Sequence, residues 1–320
     1  NIMEQTELKT RKNKAFWNRE RKSILFVCCL MAFPVIQFAV FWVYVNFDSI
    51  LLGFQSPSDG ALTFANFERF WREFTTQPHL KESIVNTLIY FVVCNGINLP
   101  IIVLFSYLLF KKCYGHSVYR IIFFLPSIIS TVVICMLFRY LVGVTPNGPG
   151  PVIALLEKLH IPLSEEVANN GLFGSEKTAY ATIMVEMLWS GIGINLVLIS
   201  GALARVPSEI FEAAKIDGCG MGTEFVRIVC PLVWPTISTV FILGMAGMFN
   251  MYMPVMLMTE GEYGTSTIGW YITRYTMAAA NGTDNLNYPA AVGLIFTLIG
   301  TPLVLIVKRL LDKVSDAVEY

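Results

Sequence analysis

Residues 204–232 read ARVPSEIFEAAKIDGCGMGTEFVRIVCPL, a stretch that predicts two short helices joined by a turn. Ser208 is placed to cap free backbone N–H groups at the start of the first helix, and Glu209 lies where the helix dipole favours an anion. Gly218 is expected to end this helix in the left-handed conformation. Four residues at helical spacing predict an apolar stripe along this helix, namely Ile210, Phe211, Ala213 and Ala214.

The second helix is predicted to begin near Gly222 and to be amphipathic. Its polar side would hold Glu224 and Arg227, opposite an apolar side that comprises Phe225, Ile228 and Val229. Pro231 and Pro235 are expected to break it before the next apolar run. Two short amphipathic helices of this kind can also lie in a lipid headgroup layer, and composition alone leaves that alternative open.

Six apolar runs flank this stretch, and each approaches the length of about 20 residues that a helix needs to cross a bilayer. The composition agrees, because 14% of the 320 residues are charged and 55% are hydrophobic, whereas soluble domains are roughly 25% charged. The first run is too long for the core of a signal peptide, so we expect it to be retained as a span. The runs are 23–46, 84–110, 119–142, 179–202, 233–257 and 290–307.

The net charge of zero is divided into two opposite layers. If both termini are cytoplasmic, the inner segments carry 15 basic and 10 acidic residues, and the outer loops carry 6 basic and 12 acidic residues. This distribution follows the positive-inside rule and predicts a multi-pass protein with both termini in the cytoplasm. The predicted parts are a basic segment 1–22, a first span 23–46, an outer loop 47–83, a core 84–307 and a cytoplasmic tail 308–320.

Several other classes of protein are disfavoured. The obvious basic cluster is confined to 1–22, so a nucleic-acid partner is not expected. The seven cysteines form no CxxC pair and have no histidine at ligand spacing, which argues against a disulfide framework or a zinc site. The chain contains no GxxxxGK[ST] sequence, so it lacks the phosphate-binding loop that ATP hydrolysis would require.

Polar side chains inside the apolar runs predict a polar pathway through the helix bundle. Amides and carboxylates in hydrocarbon are costly unless they face a cavity or another helix. Interhelical hydrogen bonding is the alternative for each of them, and Glu186 has two further alternatives, a pair with Arg139 or a role in steadying the fourth span. The candidates are Asn95, Asn98, Glu186, Asn195, Asn250 and Tyr252.

The loop at 204–232 resembles the EAA loop of the membrane subunits of ABC importers, and roughly residues 80–310 resemble their carbohydrate-specific branch. Cys219 and Cys230 stand where that family usually has Ala and Leu. After the fifth run this chain reads TEGEY at 259–263, where relatives have Thr-x-Gly-Gly-Pro. The matching residues of the loop are Glu212, Ala213, Ala214, Asp217, Gly218, Phe225, Ile228 and Pro231.

The resemblance implies an all-α membrane protein of six transmembrane helices with the MetI-like core of a type I importer permease. It implies a bacterial cytoplasmic membrane and a sugar or oligosaccharide as substrate. The EAA loop would couple the permease to two separate ATP-binding subunits, which would hold ATP and Mg²⁺, while this chain would bind no cofactor. Further implied partners are the lipid bilayer, a second related permease and an extracytoplasmic solute-binding protein.

Three alternatives remain open at this point: a secondary transporter driven by an ion gradient, an ABC permease for a solute other than sugar, and a membrane enzyme. A secondary transporter would need internal symmetry and coupling charges in the membrane, where only Glu186 qualifies. Two outer segments are also expected to be helical, as docking ledges or interfacial helices. One is 152–159, and the other contains aromatic residues at spacings of three and four, namely Phe64, Phe67, Phe70, Trp71 and Phe74.

Overall fold

The computed structural model of the chain describes residues 23–145 and 148–316. This part is almost entirely helical, with one short antiparallel pair of strands, β1 (Val144–Thr145) and β2 (Gly148–Pro149). The helices are α1 (Ser23–Gly53), α2 (Ala65–Thr76), α3 (Pro78–Phe110), α4 (His116–Ile128), α5 (Thr131–Val142), α6 (Pro151–Lys158), α7 (Glu165–Asn170), α8 (Glu176–Leu203), α9 (Ser208–Ile216), α10 (Met221–Asn250), α11 (Met253–Met258), α12 (Ile268–Ala280) and α13 (Asn287–Asp316).

Five of these helices are long and apolar enough to cross a membrane, namely α1, α3, α8, α10 and α13. The predicted third span is not one straight helix, because α4 and α5 meet at 109°. Pro126 removes a backbone donor in the last turn of α4, and the backbone is extended at Ile129 and Ser130. Within the described residues, the count of six spans is confirmed if this bent pair is counted as one.

The predicted break at Pro231 and Pro235 is wrong, because the second helix of the loop runs without interruption into the fifth span as α10. A π-helical segment, Phe225–Val229, directly precedes Pro231. Its wider turn accommodates a residue that has no N–H and whose ring would clash in a regular helix. The same helix ends at Asn250, earlier than the predicted 257, and α11 follows as a separate element.

The central helix of the bundle is α8, which packs against α3 and α4. The backbones of α8 and α4 approach closely at Gly193, where an added Cβ would lie 2.6 Å from Ser127 Cβ and 3.0 Å from the Phe123 carbonyl oxygen. Small residues allow this kind of approach between helices in lipid. An apolar core continues from this crossing along α3, α8, α9 and α10 towards the loop at 204–232.

The first span stands apart from the bundle over most of its length. Every residue from Ser23 to Ile50 is exposed in the isolated chain. The helix is fixed only near its end, where an added Cβ on Gly53 would lie 3.2 Å from the Ala291 backbone. The amide of Asn287 also donates to the Leu52 carbonyl at 3.0 Å. A long apolar helix that the described part of the chain leaves uncovered is suited to contact lipid or another protein.

Both predicted outer helices are present. The aromatic segment forms α2, with Phe64 at its N-cap. Phe70 is buried against Phe296 of α13, whereas Trp71 remains 63% exposed, so the helix is amphipathic as expected. The segment predicted at 152–159 forms α6.

Candidate functional site

The first helix of the loop, α9, has two distinct faces. Phe211 and Ala214 are buried, and the Phe211 ring centre lies 5.2 Å from that of Phe110 at the end of α3. Glu212 and Ala213 are exposed on the opposite side. The predicted apolar stripe is therefore divided: Phe211 and Ala214 pack inward, whereas Ala213 is exposed beside Glu212. The exposed face is free to contact a partner.

The two ends of α9 differ in how well the sequence predicted them. Pro207, with extended backbone, is the N-cap, and Ser208 is already the first helical residue, so the predicted Ser208 cap is wrong. Gly218 does end the helix in the left-handed region with φ of 72°. The Cys219 N–H donates to the Ala214 carbonyl at 2.9 Å, which is the main hydrogen bond of a Schellman motif.

A buried ion pair links the loop to α3. Lys111 Nζ lies 2.5 Å from Glu224 Oε1, and the side chain of Glu224 is only 7% exposed. The ammonium group also lies 5.0 Å from the ring centre of Phe211, within the range of a cation–π interaction. The prediction that Glu224 faces outward is wrong, because pairing with Lys111 compensates the carboxylate for its loss of water. The pair joins α3, α9 and α10.

The start of α10 is also fixed against α3. The ring centres of Phe225 and Tyr107 are 5.4 Å apart, and the Tyr107 hydroxyl donates to the Met221 carbonyl at 3.4 Å. Ile228 is half-buried, and Pro231 follows the π-helical segment. The predicted coupling residues thus divide into two groups. Ala214 and Phe225 pack inward and position the loop, and an exposed set points away, consisting of Glu212, Ala213, Asp217 and Gly218.

The polar candidates within the spans differ in their partners. Three of them bond to backbone carbonyls. Asn98 Nδ2 donates across the helix interface to Leu188 at 3.0 Å, whereas Asn95 and Asn195 donate within their own helices, to Phe91 and Gly191. Asn98 therefore makes the interhelical hydrogen bond that was the alternative to a role in the pathway.

Glu186 is completely buried, and neither of its carboxylate oxygens makes a hydrogen bond within the described residues. It forms no ion pair with Arg139, whose guanidinium instead donates to the Leu257 carbonyl at 3.1 Å. Tyr252 is half-buried in an apolar cluster. Asn250 is exposed and borders a cavity of about 310 Å³. A role in the pathway stays a prediction for all six candidates.

A second polar cluster lies at the opposite end of α3 and was not predicted. The Glu73 carboxylate accepts hydrogen bonds from the hydroxyls of Tyr271 at 2.5 Å and Tyr288 at 2.6 Å, and from Arg69 Nε at 2.9 Å. The Arg69 guanidinium carbon also lies 3.9 Å from the ring centre of Tyr288. These four residues, which we call the Glu73 network, tie together α2, α12 and α13.

The Glu73 network favours the charged carboxylate. Burial acts to raise the pKa of Glu73, but the hydrogen bonds from Tyr271, Tyr288 and Arg69 outweigh it and hold the pKa below the ordinary value of 4.5. Burial and the hydrogen bond to Glu73 raise the pKa of Tyr271, so this tyrosine stays protonated and donates. The network is therefore complete at neutral pH.

Replacing Glu73 with glutamine is expected to lower the free energy of unfolding by about 1.5 to 3 kcal/mol at pH 7, because it removes hydrogen bonds to a charged group. The loss should shrink in acid. A carboxylate with a depressed folded pKa contributes its full stability above its unfolded pKa, near 4.5, and loses it as pH falls through the lower folded value. Unfolding of the purified protein in lipid nanodiscs at pH 7 and pH 3 measures both effects. Equal losses at the two pH values would contradict this account of Glu73.

Comparison with known proteins places the chain in a family. Residues 74–318 match the family described as "Binding-protein-dependent transport system inner membrane component". The chain is 26% identical over 268 residues to the maltose/maltodextrin transport system permease protein MalF of Vibrio parahaemolyticus, a match covering 78% of this chain and 48% of that protein. It is 23% identical to the arabinooligosaccharides transport system permease protein AraP of Bacillus subtilis, covering 88% of this chain and 86% of that protein.

The fold is also that of a solved structure. A chain in the crystal structure of a bacterial ABC transporter involved in the import of the acidic polysaccharide alginate superposes with a TM-score of 0.77 at 17% identity. The match covers 93% of this chain and 98% of that one. The likeness confirms the predicted all-α permease fold.

Proposed function

Because the chain belongs to the family of inner membrane components of binding-protein-dependent transport systems, we propose that it forms half of the translocation pathway of an ATP-driven importer. The importer takes up a sugar or oligosaccharide delivered by an extracytoplasmic binding protein. The observation that carries this proposal is the exposed face of α9, with Glu212 and Ala213, which the buried Lys111–Glu224 pair holds in a fixed position. A rigid, exposed helix is suited to transmit movement from an ATPase.

Energy enters from outside this chain. Two ATP-binding subunits supply it, and ATP and Mg²⁺ bind to them. The small side chain of Ala213 permits close approach of a partner helix, and the carboxylate of Glu212 can pair with a basic group on the ATPase. The ATPases close on nucleotide, draw the two α9 helices together and rock the spans between inward-open and outward-open states.

A second, related permease completes the pathway. The exposed apolar length of α1 supports this partner, as do the apolar residues that α4 and α5 leave uncovered, among them Ile121, Ile128 and Met136. Lipid covers what the partner does not.

We infer the orientation from α3, whose 33 residues separate the Glu73 network from the Lys111–Glu224 pair. A helix of this length extends about 50 Å, enough to cross a bilayer. The positive-inside rule assigns the end that carries Lys111 and Lys112 to the cytoplasm, and the Glu73 network then faces outward.

Two observations support a sugar as the substrate: the names of the relatives and the residues around Asn250. The relatives are named for maltose or maltodextrin and for arabinooligosaccharides. Asn250 borders a cavity whose wall includes Phe249, Phe296 and Thr297. Aromatic faces beside amide and hydroxyl groups suit the apolar faces and hydroxyls of a saccharide.

Uptake by reconstituted vesicles tests the function. The two permeases and the ATPases are placed in liposomes with ATP at the ATPase side, and the binding protein is supplied with radiolabelled maltodextrin or arabinooligosaccharide on the other. We expect uptake that requires both ATP and the binding protein. Uptake without the ATPases would favour a secondary transporter, and uptake of other solutes alone would favour a non-sugar permease.

A further inference from the structure

A cavity of about 520 Å³ opens on the outer side of the protein, directly beside the Glu73 network. It lies between the junction of α2 with α3, the loop at 259–264 and helix α12. Three aromatic residues of α12 contribute to its wall, namely Trp270, Tyr271 and Tyr275. The volume falls within the range of roughly 300 to 1,000 Å³ that is usual for small-molecule sites.

The aromatic wall is held rigidly from behind. Tyr271 is fixed by its hydrogen bond to Glu73, and the Arg69 guanidinium carbon lies 5.4 Å from the ring centre of Tyr275. Trp270 is packed so closely that a Cβ on Gly261 would lie 2.3 Å from its Nε1. Rings that are already immobile lose little entropy when a ligand binds, which favours affinity.

A hydrogen bond joins the two ends of the loop that forms one rim of the cavity. The hydroxyls of Thr259 and Thr265 are 2.6 Å apart. Between them, Glu260 and Tyr263 hold positive φ angles of 55° and 54°, a conformation that is costly for side chains other than glycine. The loop thus holds the Glu260 and Glu262 carboxylates at the cavity.

The remaining wall is polar and carries net negative charge. Glu260, Glu262 and Asp284 line it with one cation, Arg274, and His79 is counted as neutral, so three acidic groups and one basic group leave a formal charge of −2. Gln77 and Ser266 add neutral hydrogen-bonding groups. Carboxylates accept hydrogen bonds from hydroxyls, and amides both donate and accept them, while the net charge repels an anionic ligand.

We propose that this cavity is a saccharide-binding site outside the membrane, selective for a neutral sugar unit over an acidic one. The partly exposed ring of Tyr275, backed by the buried Trp270 and Tyr271, packs on the apolar C–H groups of a pyranose or furanose ring, and the rim carboxylates accept hydrogen bonds from its hydroxyls. The site holds one sugar unit of the oligosaccharide at the permease before the oligosaccharide enters the region between the spans. This inference rests on the proposed function and specifies its substrate class as neutral oligosaccharides.

Direct binding tests the site without the binding protein. The complete transporter in nanodiscs is titrated calorimetrically with neutral hexasaccharides of glucose, arabinose and galactose, and with hexaguluronate as the acidic probe. We expect at least one neutral probe to bind and hexaguluronate not to bind.

Ala278→Trp fills the cavity from α12 and is expected to weaken binding on the order of tenfold. The matched control is Met277→Trp. Met277 lies on the same helix but is 47% exposed and outside the cavity wall, so this variant is expected to bind saccharide as wild type does.

The charge on the rim provides a second measurement that does not depend on filling the cavity. The double variant Glu260→Gln/Asp284→Asn should allow hexaguluronate to bind. Failure of every neutral probe to bind, or equal binding by Ala278→Trp and wild type, would overturn the site. ATP-driven uptake in vesicles separates the two proposals. Uptake that persists without direct binding rejects only this site, whereas absent uptake with all subunits assembled rejects the proposed function.

Discussion

Glu212→Lys is expected to lower ATP-driven uptake on the order of tenfold or more, while insertion and folding stay unchanged. Glu212 is exposed on α9 and forms no ion pair within residues 23–145 and 148–316, so its charge is not expected to stabilise the isolated permease. At an interface with the ATPase, the reversal replaces attraction to a basic group with repulsion. The measurements are uptake by vesicles, co-purification of the ATPase, and the unfolding transition of the permease alone.

Asp312→Lys provides the control for this change. Asp312 is also exposed, at the end of α13, and its replacement makes the same change in charge away from α9. It is expected to leave uptake and ATPase retention as in wild type. Normal uptake by Glu212→Lys would reject the role of α9 as the coupling surface. An equal loss of uptake in both variants would indicate that the total charge of the surface carrying Glu212 and Asp312 matters, rather than the position of Glu212.

Lys111→Met is expected to lower the free energy of unfolding by about 3 to 5 kcal/mol, because it leaves the buried Glu224 carboxylate without a counter-charge. Glu224→Gln is expected to cost less, about 1 to 2 kcal/mol. The ammonium of Lys111, whose side chain is 31% exposed, can turn towards water when its partner is lost. Denaturant unfolding in nanodiscs measures this asymmetry.

The double variant Lys111→Met/Glu224→Met completes the cycle. It is expected to recover much of the stability lost by Lys111→Met alone, since apolar replacement of both members removes the unpaired charge. Uptake should nevertheless be lower than in wild type, because only the aromatic contacts Phe110–Phe211 and Tyr107–Phe225 then hold α9 and α10 on α3. Additive losses in the double variant would show that the two side chains do not act as a pair.

The sequence predicted the features that depend on local pattern. The apolar runs predicted the spans, and Gly218 predicted the end of α9 because a left-handed residue suits glycine. The aromatic spacing at 64–74 predicted an amphipathic helix. In each case the deciding residues are neighbours in the chain, so periodicity and turn chemistry are sufficient.

The features that the sequence did not predict depend on residues far apart in the chain. Glu224 looked like a solvent-facing residue because its partner, Lys111, lies 113 positions earlier. The bend between α4 and α5 follows from how both pack on the bundle as well as from Pro126. The continuity of α10 past Pro231 depends on a π-helical turn that has no local composition signal.

The Glu73 network has a consequence for the order in which the chain is completed during synthesis. Its partners Tyr271 and Tyr288 lie 198 and 215 positions after Glu73. At about 5 to 20 residues per second, the ribosome needs roughly 10 to 40 seconds to supply them. Until then the carboxylate has only Arg69, and α2 has nothing to hold it against α12 and α13. A nascent chain that stops before Tyr288 cannot complete the Glu73 network, so this part of the fold forms only after synthesis has reached α13.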